Sequence, residues 1–151
     1  MARRIGLVAA PGRQRGGVRQ AHEQFDVSPL FRRARDYCER AFDEWYILSA
    51  SSYLLAPRQV IGADERPLHK LSTEERLEWA REVAARLHTL AQQRAESLTL
   101  VLFASQRYAD LLARVAPTLT IEQPLGGLTL RERLRWFDER LTVRSRLLGA
   151  Q

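Results

Sequence analysis

Residues 4–10 (RIGLVAA) form a short, nearly continuous apolar run, the pattern of a strand buried on both faces. Pro11 and Gly12 end it. Residues 13–27 follow with three arginines, Gly16-Gly17 and no apolar periodicity, which predicts a long loop. Ser28-Pro29 then reads as a helix start, serine as N-cap and proline at the first helical position. Leu30, Phe31, Ala34, Tyr37, Cys38 and Ala41 recur at helical spacing behind it. Residues 45–50 (WYILSA) predict a second strand, and a long connection through Pro57, Gly62 and Pro67 follows. Ser72 with Glu75 makes a capping box that opens the longest helix, about residues 73–95, with Leu77, Ala80, Val83, Ala84, Leu87 and Leu90 on one face. Residues 98–104 (LTLVLFA) are the most apolar strand. Ser105 is placed to cap a short helix carrying Tyr108, Leu111 and Leu112, and residues 119–122 read as a short edge strand. Thr129 and Glu132 form a second capping box, opening a helix that runs to about Leu141; the chain beyond Arg144 is expected to fray.

The order is β-α-β-α-β-α-β-α. Such alternation predicts an α/β three-layer sandwich: a mostly parallel sheet of about four strands with helices on both faces. No repeat, linker or low-complexity tract divides the chain, so residues 1–151 read as one domain.

Composition changes this picture little. Hydrophobic residues make up 45% and charged residues 28%, an ordinary globular balance. No apolar run approaches the roughly 20 residues of a membrane span. The apolar stretch after Met1-Ala-Arg-Arg covers only residues 5–10, too short for a signal core, and the expected compartment is the cytoplasm. Cys38 is the single cysteine, so no internal disulfide is expected, and the histidines lack metal-ligand spacing. No metal or cofactor is expected. The charge matters more. It is +6, and Lys70 is the only lysine among the cations. Arginine suits phosphate and carboxylate through its rigid fork of donors, although a compositional bias of the genome explains the same excess.

In open parallel sheets, ligands bind outside the strand carboxyl ends at a topological switch point. That geometry nominates residues 10–17, 49–53, 104–107 and 123–127. The first stretch offers flexible backbone with Arg13 and Arg15, features suited to an oxyanion. It is neither a Walker loop nor a dinucleotide fingerprint, and a solvated basic loop explains it as well. Ser49, Ser51 and Ser52 cluster after the second strand without the Gly-x-Ser-x-Gly elbow of a hydrolase, so local backbone bonding competes with ligand binding. Ser105 is foremost an N-cap, yet its helix N-terminus is a fair anion site. Candidates for acid–base work are Asp26, Asp64, Glu65 and Glu122, with His22 and His69 on loops; His88 reads as a surface residue of the long helix. Trp45, Trp79 and Trp136 sit in apolar-periodic segments and read as core. Arg131, Arg133, Arg135, Arg140, Arg144 and Arg146 crowd the last helix, but Glu132, Asp138 and Glu139 interleave with them, the pattern of a salt-bridged exposed face.

Four segments taken in order carry a resemblance: IGLVAA, FDVSPLF, WYILSASSYLLAP and PLGGLTLRERLRWF. Together they resemble a small, largely uncharacterised bacterial, archaeal and phage domain family with Tyr-x-Ser-Pro-Leu-Phe and Ile-Leu-Ser-Ala-Lys-His-Gly-Leu-Leu motifs. The resemblance spans roughly residues 4–137. That family is similar in presumed fold to uracil-DNA-glycosylase-like and deazaguanine-modification accessory domains, which implies a pocket for a nucleobase, nucleotide or nucleic acid by fold analogy. Ser28, Pro29, Phe31, Ser49, Ala50 and Leu54 match the motifs. Ala10 stands where family members carry a cysteine, Arg13 and Arg15 replace a lysine-bearing loop, and Ser51-Ser52-Tyr53 replace Lys-His-Gly. A tyrosine–aspartate pair of the family becomes Ala63-Asp64.

Three functions stay open at this point. The first is a nucleotide- or nucleic-acid-binding domain, with Arg13 and Arg15 on phosphate and Ser28, Ser49, Ser52 and Ser105 lining the pocket. The second is an N-glycosidic-bond hydrolase or transglycosylase in which Asp26 or Asp64 positions water or stabilises an oxocarbenium-like sugar. The third is a non-catalytic subunit that works beside a protein partner. A membrane partner is not expected.

Overall fold

Alternation along each central strand sends successive side chains into two separate cores. The structure, a computed structural model, describes the backbone of residues 2–63 and 67–149 and the side chains of residues 3–63 and 67–142. On the first strand, β1 (Ala2–Ala9), Ile5 and Leu7 enter one core while Val8 enters the other. The same period of two holds on β3 (Trp45–Ser49) and β6 (Ser97–Phe103): Leu48, Leu100 and Leu102 face one side, and Ile47, Val101 and Phe103 the other. Both faces are covered, which is why these strands read as continuous apolar runs.

The remaining strands are β2 (Arg19–Gln20), β4 (Tyr53–Leu55), β5 (Val60–Ile61) and β7 (Thr120–Glu122). The helices are a single turn α1 (Ala21–Gln24), then α2 (Pro29–Ala41), α3 (Thr73–Arg94), α4 (Gln106–Val115) and α5 (Leu130–Gly149), with a 3-10 turn at Leu68–Lys70. The main sheet has the order β4-β3-β1-β6-β7. β1 runs parallel to β3 and β6, and β7 parallel to β6; only β4 is antiparallel. The chain leaves β1 in one direction to reach β3, then returns past β1 to β6. This reversal puts α2 and α5 on one face and α3 and α4 on the other. The switch point lies between the carboxyl ends of β1 and β6.

The expected three-layer α/β sandwich is present, with differences. The loop expected over residues 13–27 contains β2 and α1, and the connection after β3 turns back at once as β4. Neither was visible from periodicity, because strands of two or three residues have none. β2 and β5 pair as a small antiparallel ribbon. The last helix continues to Gly149, past the end expected near Leu141.

Local signals hold the long elements in place. Ser28 Oγ accepts from the Phe31 amide at 3.2 Å. The Ser72–Glu75 and Thr129–Glu132 pairs close reciprocally as capping boxes. Trp79 donates its indole N–H to the Ser49 carbonyl at 2.8 Å and so pins α3 to the end of β3. Gly6 lets α2 approach β1: a Cβ there would stand 2.9 Å from Cys38 Sγ and 3.0 Å from the Phe42 ring. At the opposite end from the switch point, Glu44 takes hydrogen bonds from Arg3, Arg94 and Tyr46. Those bonds, against the burial of the group, hold its carboxyl below the usual range. No helix among the described residues is long and apolar enough to cross a membrane.

Candidate functional site

Two clefts open at the carboxyl end of β1, one on each face of the sheet, and they share Ala10, Pro11 and Tyr108. The first, about 160 Å³, lies toward α3 and α4 and is the more polar of the two, with Gly12, Ala50, His69 and Arg107 in its lining. Arg107 is exposed in the first turn of α4, and no hydrogen bond or ion pair holds it among the described residues. The second cleft, about 230 Å³, lies toward α2 and α5. Its walls are Leu30, Phe31, Phe103, Leu125 and Phe137, and its polar groups come from Ser28, Ser105 and Arg133.

Three of the segments singled out in the sequence converge on this apolar cleft. The IGLVAA strand supplies Val8, Ala9 and Ala10; FDVSPLF supplies Ser28, Leu30 and Phe31; PLGGLTLRERLRWF supplies Leu125, Arg133 and Phe137. The turn before α5 makes the third contribution possible. Gly127 has a φ of 76°, and the amides of Gly126 and Leu128 bond back to Gln123 and Leu125. This turn tucks Leu125 inward and aims the Leu128 carbonyl at Arg133 Nε, 3.1 Å away.

The glycine loop after β1 is held by contacts within the fold. Gln24 is fully buried and clamps it: its Oε1 accepts from the Gly16 amide at 2.7 Å, and its Nε2 donates to the Gly17 carbonyl at 2.9 Å. The two glycines adopt φ of 97° and 68°, a region that favours glycine. Arg15 is ion-paired to Asp26, which Arg35 also engages at 3.0 Å. Burial alone would raise the Asp26 carboxyl, but the hydrogen bonds from Arg15 and Arg35 outweigh it and hold the group below the usual carboxylate range. Arg15 and Asp26 therefore anchor the loop. Arg13 stays exposed beside Gly12, with no ion pair among the described residues.

The serines divide in the same way. Ser28 and Ser105 line the apolar cleft. Ser105 occupies the N-cap position of α4, but its hydroxyl makes no capping bond, contrary to expectation. Ser49 is fully buried, its Oγ accepting from the Ser52 amide at 2.9 Å. Together they shape the turn into β4 instead of facing either cleft. That turn needs Tyr53 at a φ of 65°, the position where the resembled motif has glycine. The Tyr53 ring lies under the Arg86 guanidinium, 4.8 Å from ring centre to carbon.

Among the acid–base candidates, His69 lines the more polar cleft, Glu122 pairs with Arg4 at 2.7 Å, and His22 bonds Gln20 at 2.8 Å. Asp64 and Glu65 lie outside the described residues. Among the described residues, no three His, Cys, Asp or Glu side chains gather as a metal site. Arg107 and Arg133, which the clefts bring forward, had no decisive sequence signal. Arg133 was one arginine among six near the C-terminus, and its distinction is its bond to Leu128.

A model described as a family of unknown function (DUF6884) matches residues 5–139. No curated protein and no solved structure matches the chain.

Proposed function

We propose, for a chain that belongs to the DUF6884 family of unknown function, that the domain binds a nucleotide, free or as part of a nucleic acid, across the carboxyl end of β1. The observation that carries this reading is the pairing of two unlike clefts around Ala10, Pro11 and Tyr108. The apolar one suits a flat ring with a few polar atoms at its edge. The more polar one offers Arg107 and a first turn of α4 that no side chain caps, a suitable place for phosphate. Arg13 stands nearby as a further cation. The resemblance to nucleobase-handling folds points the same way, as analogy only.

Hydrolysis of an N-glycosidic bond needs a general base or a carboxylate near the sugar. No aspartate or glutamate lines either cleft among the described residues, and Asp26 is committed to two arginines. Binding is therefore the reading preferred over catalysis.

The test is a thermal-shift and calorimetric series with nucleoside monophosphates and short oligonucleotides at low and moderate salt. A ligand raises the unfolding midpoint by mass action. The expected result is a shift that Arg107→Ala weakens about tenfold in affinity, in line with one lost charged hydrogen bond. No shift with any nucleotide or oligonucleotide at low salt overturns the reading and favours a protein partner.

A further inference from the structure

Arg133 is the one charged side chain that lines the apolar cleft among the described residues. Arg133 carries only donors, and its Nε is spent on the Leu128 carbonyl, which fixes the plane of the guanidinium. Arg133 lines the cleft, and among the described residues its remaining N–H groups make no hydrogen bond or ion pair. Ser28 Oγ already accepts from the Phe31 amide, so its own O–H is left to donate. Ser105 adds a hydroxyl that makes no capping bond. No carboxylate lines this cleft to offset the donors.

Resting on the nucleotide reading above, we infer that this cleft selects an oxo-purine, guanine or hypoxanthine, over adenine, and that Arg133 is the residue that makes the selection. A guanidinium fork matches two adjacent acceptors in one plane, as the O6 and N7 of a 6-oxopurine present them. Adenine puts an amino group where O6 would be. Its N–H would then face the N–H of Arg133, and donors on both sides would lose water without gaining a partner. The aromatic walls, Phe31, Phe103 and Phe137, accept either purine ring, so they contribute affinity and no discrimination. The selection rests on the fixed fork.

The experiment compares GMP, IMP and AMP by calorimetry on the full chain, wild type and with Arg133→Gln, Arg133→Lys and Arg107→Ala. GMP and IMP are expected to bind roughly five- to 150-fold more tightly than AMP, the range of one bidentate base contact. Arg133→Gln and Arg133→Lys remove that preference, chiefly by weakening GMP and IMP. The lysine variant keeps the charge and loses the fork, so lost preference there identifies the fork as the cause. Arg107→Ala weakens all three nucleotides and leaves their ratio intact. Equal binding of GMP and AMP, with both weakened by Arg107→Ala, overturns the base preference and leaves the nucleotide reading standing. A preference that survives both Arg133 substitutions overturns the assignment to Arg133. Absence of binding by all three nucleotides overturns the base preference, and the oligonucleotide series above then decides the nucleotide reading. If Arg133→Gln fails to fold, as circular dichroism would show, the wild-type ratio and the lysine variant still decide.

Discussion

Arg35 donates to Asp26 at 3.0 Å from the helix behind the glycine loop, while Arg15 engages the other carboxylate oxygen from within the loop. One carboxylate thus ties α2 to the segment that leaves β1. Asp26→Asn is expected to lower stability by about 1–3 kcal/mol at neutral pH, because both charged hydrogen bonds are lost or weakened. The sign of the acid response follows from the depressed carboxyl. Asp26 contributes its full stabilisation above its unfolded value, and that contribution fades as pH falls through the lower folded value. Glu44 behaves alike. Stability should therefore drop below about pH 4, and less steeply in Asp26→Asn. A pH series of urea midpoints checks this; identical acid limbs in the two proteins would contradict it.

The two loop arginines should separate in the same assay. Arg15→Ala is expected to cost about 1 kcal/mol, whereas Arg13→Ala stays within about 0.5 kcal/mol of wild type. Equal losses would mean that Arg13 has a structural partner too.

Gly6→Ala places a Cβ 2.9 Å from Cys38 Sγ, within a fully packed seam between β1 and α2. Overpacking of this kind costs about 1–3 kcal/mol. Gly12→Ala meets nothing within 4 Å and serves as the control. Chemical denaturation of both variants measures the difference, and a Gly6→Ala variant as stable as the control would show that α2 can shift freely.

Ala95 ends α3 in the left-handed region, with a φ of 53°. Glycine takes that conformation without the Cβ clash, so Ala95→Gly should stabilise the protein by about 1 kcal/mol. A lowered thermal midpoint would contradict the cap geometry.

Cys38 is fully buried against Gly6, and burial pushes its thiol well above the ordinary range. The native protein should resist a disulfide reagent such as DTNB at pH 8 and react only as it unfolds. Prompt labelling without denaturant would show that α2 detaches readily.

The sequence by itself determined the long elements. The apolar runs around Ile5 and Leu100 must be buried on both faces, and the spacing behind Ser28 and Ser72 can bury one face only as helices. Their alternation dictates a mostly parallel sheet, and with it the edge where a ligand would sit. These are local rules of side-chain period and capping, acting within a few turns of chain. Tertiary structure alone decided which candidates meet. Gln24 became a clamp because the loop folds over it, and Ser49 disappeared beneath the turn to β4. Arg133 acquired its fixed fork because Leu128 turns a carbonyl toward it, and it joined Ser28 and Ser105 only because the chain reverses direction across β1. Hydrogen bonds have specific partners and angles, and no spacing of residue types along a chain records which partner a folded backbone will bring within 3 Å of a donor.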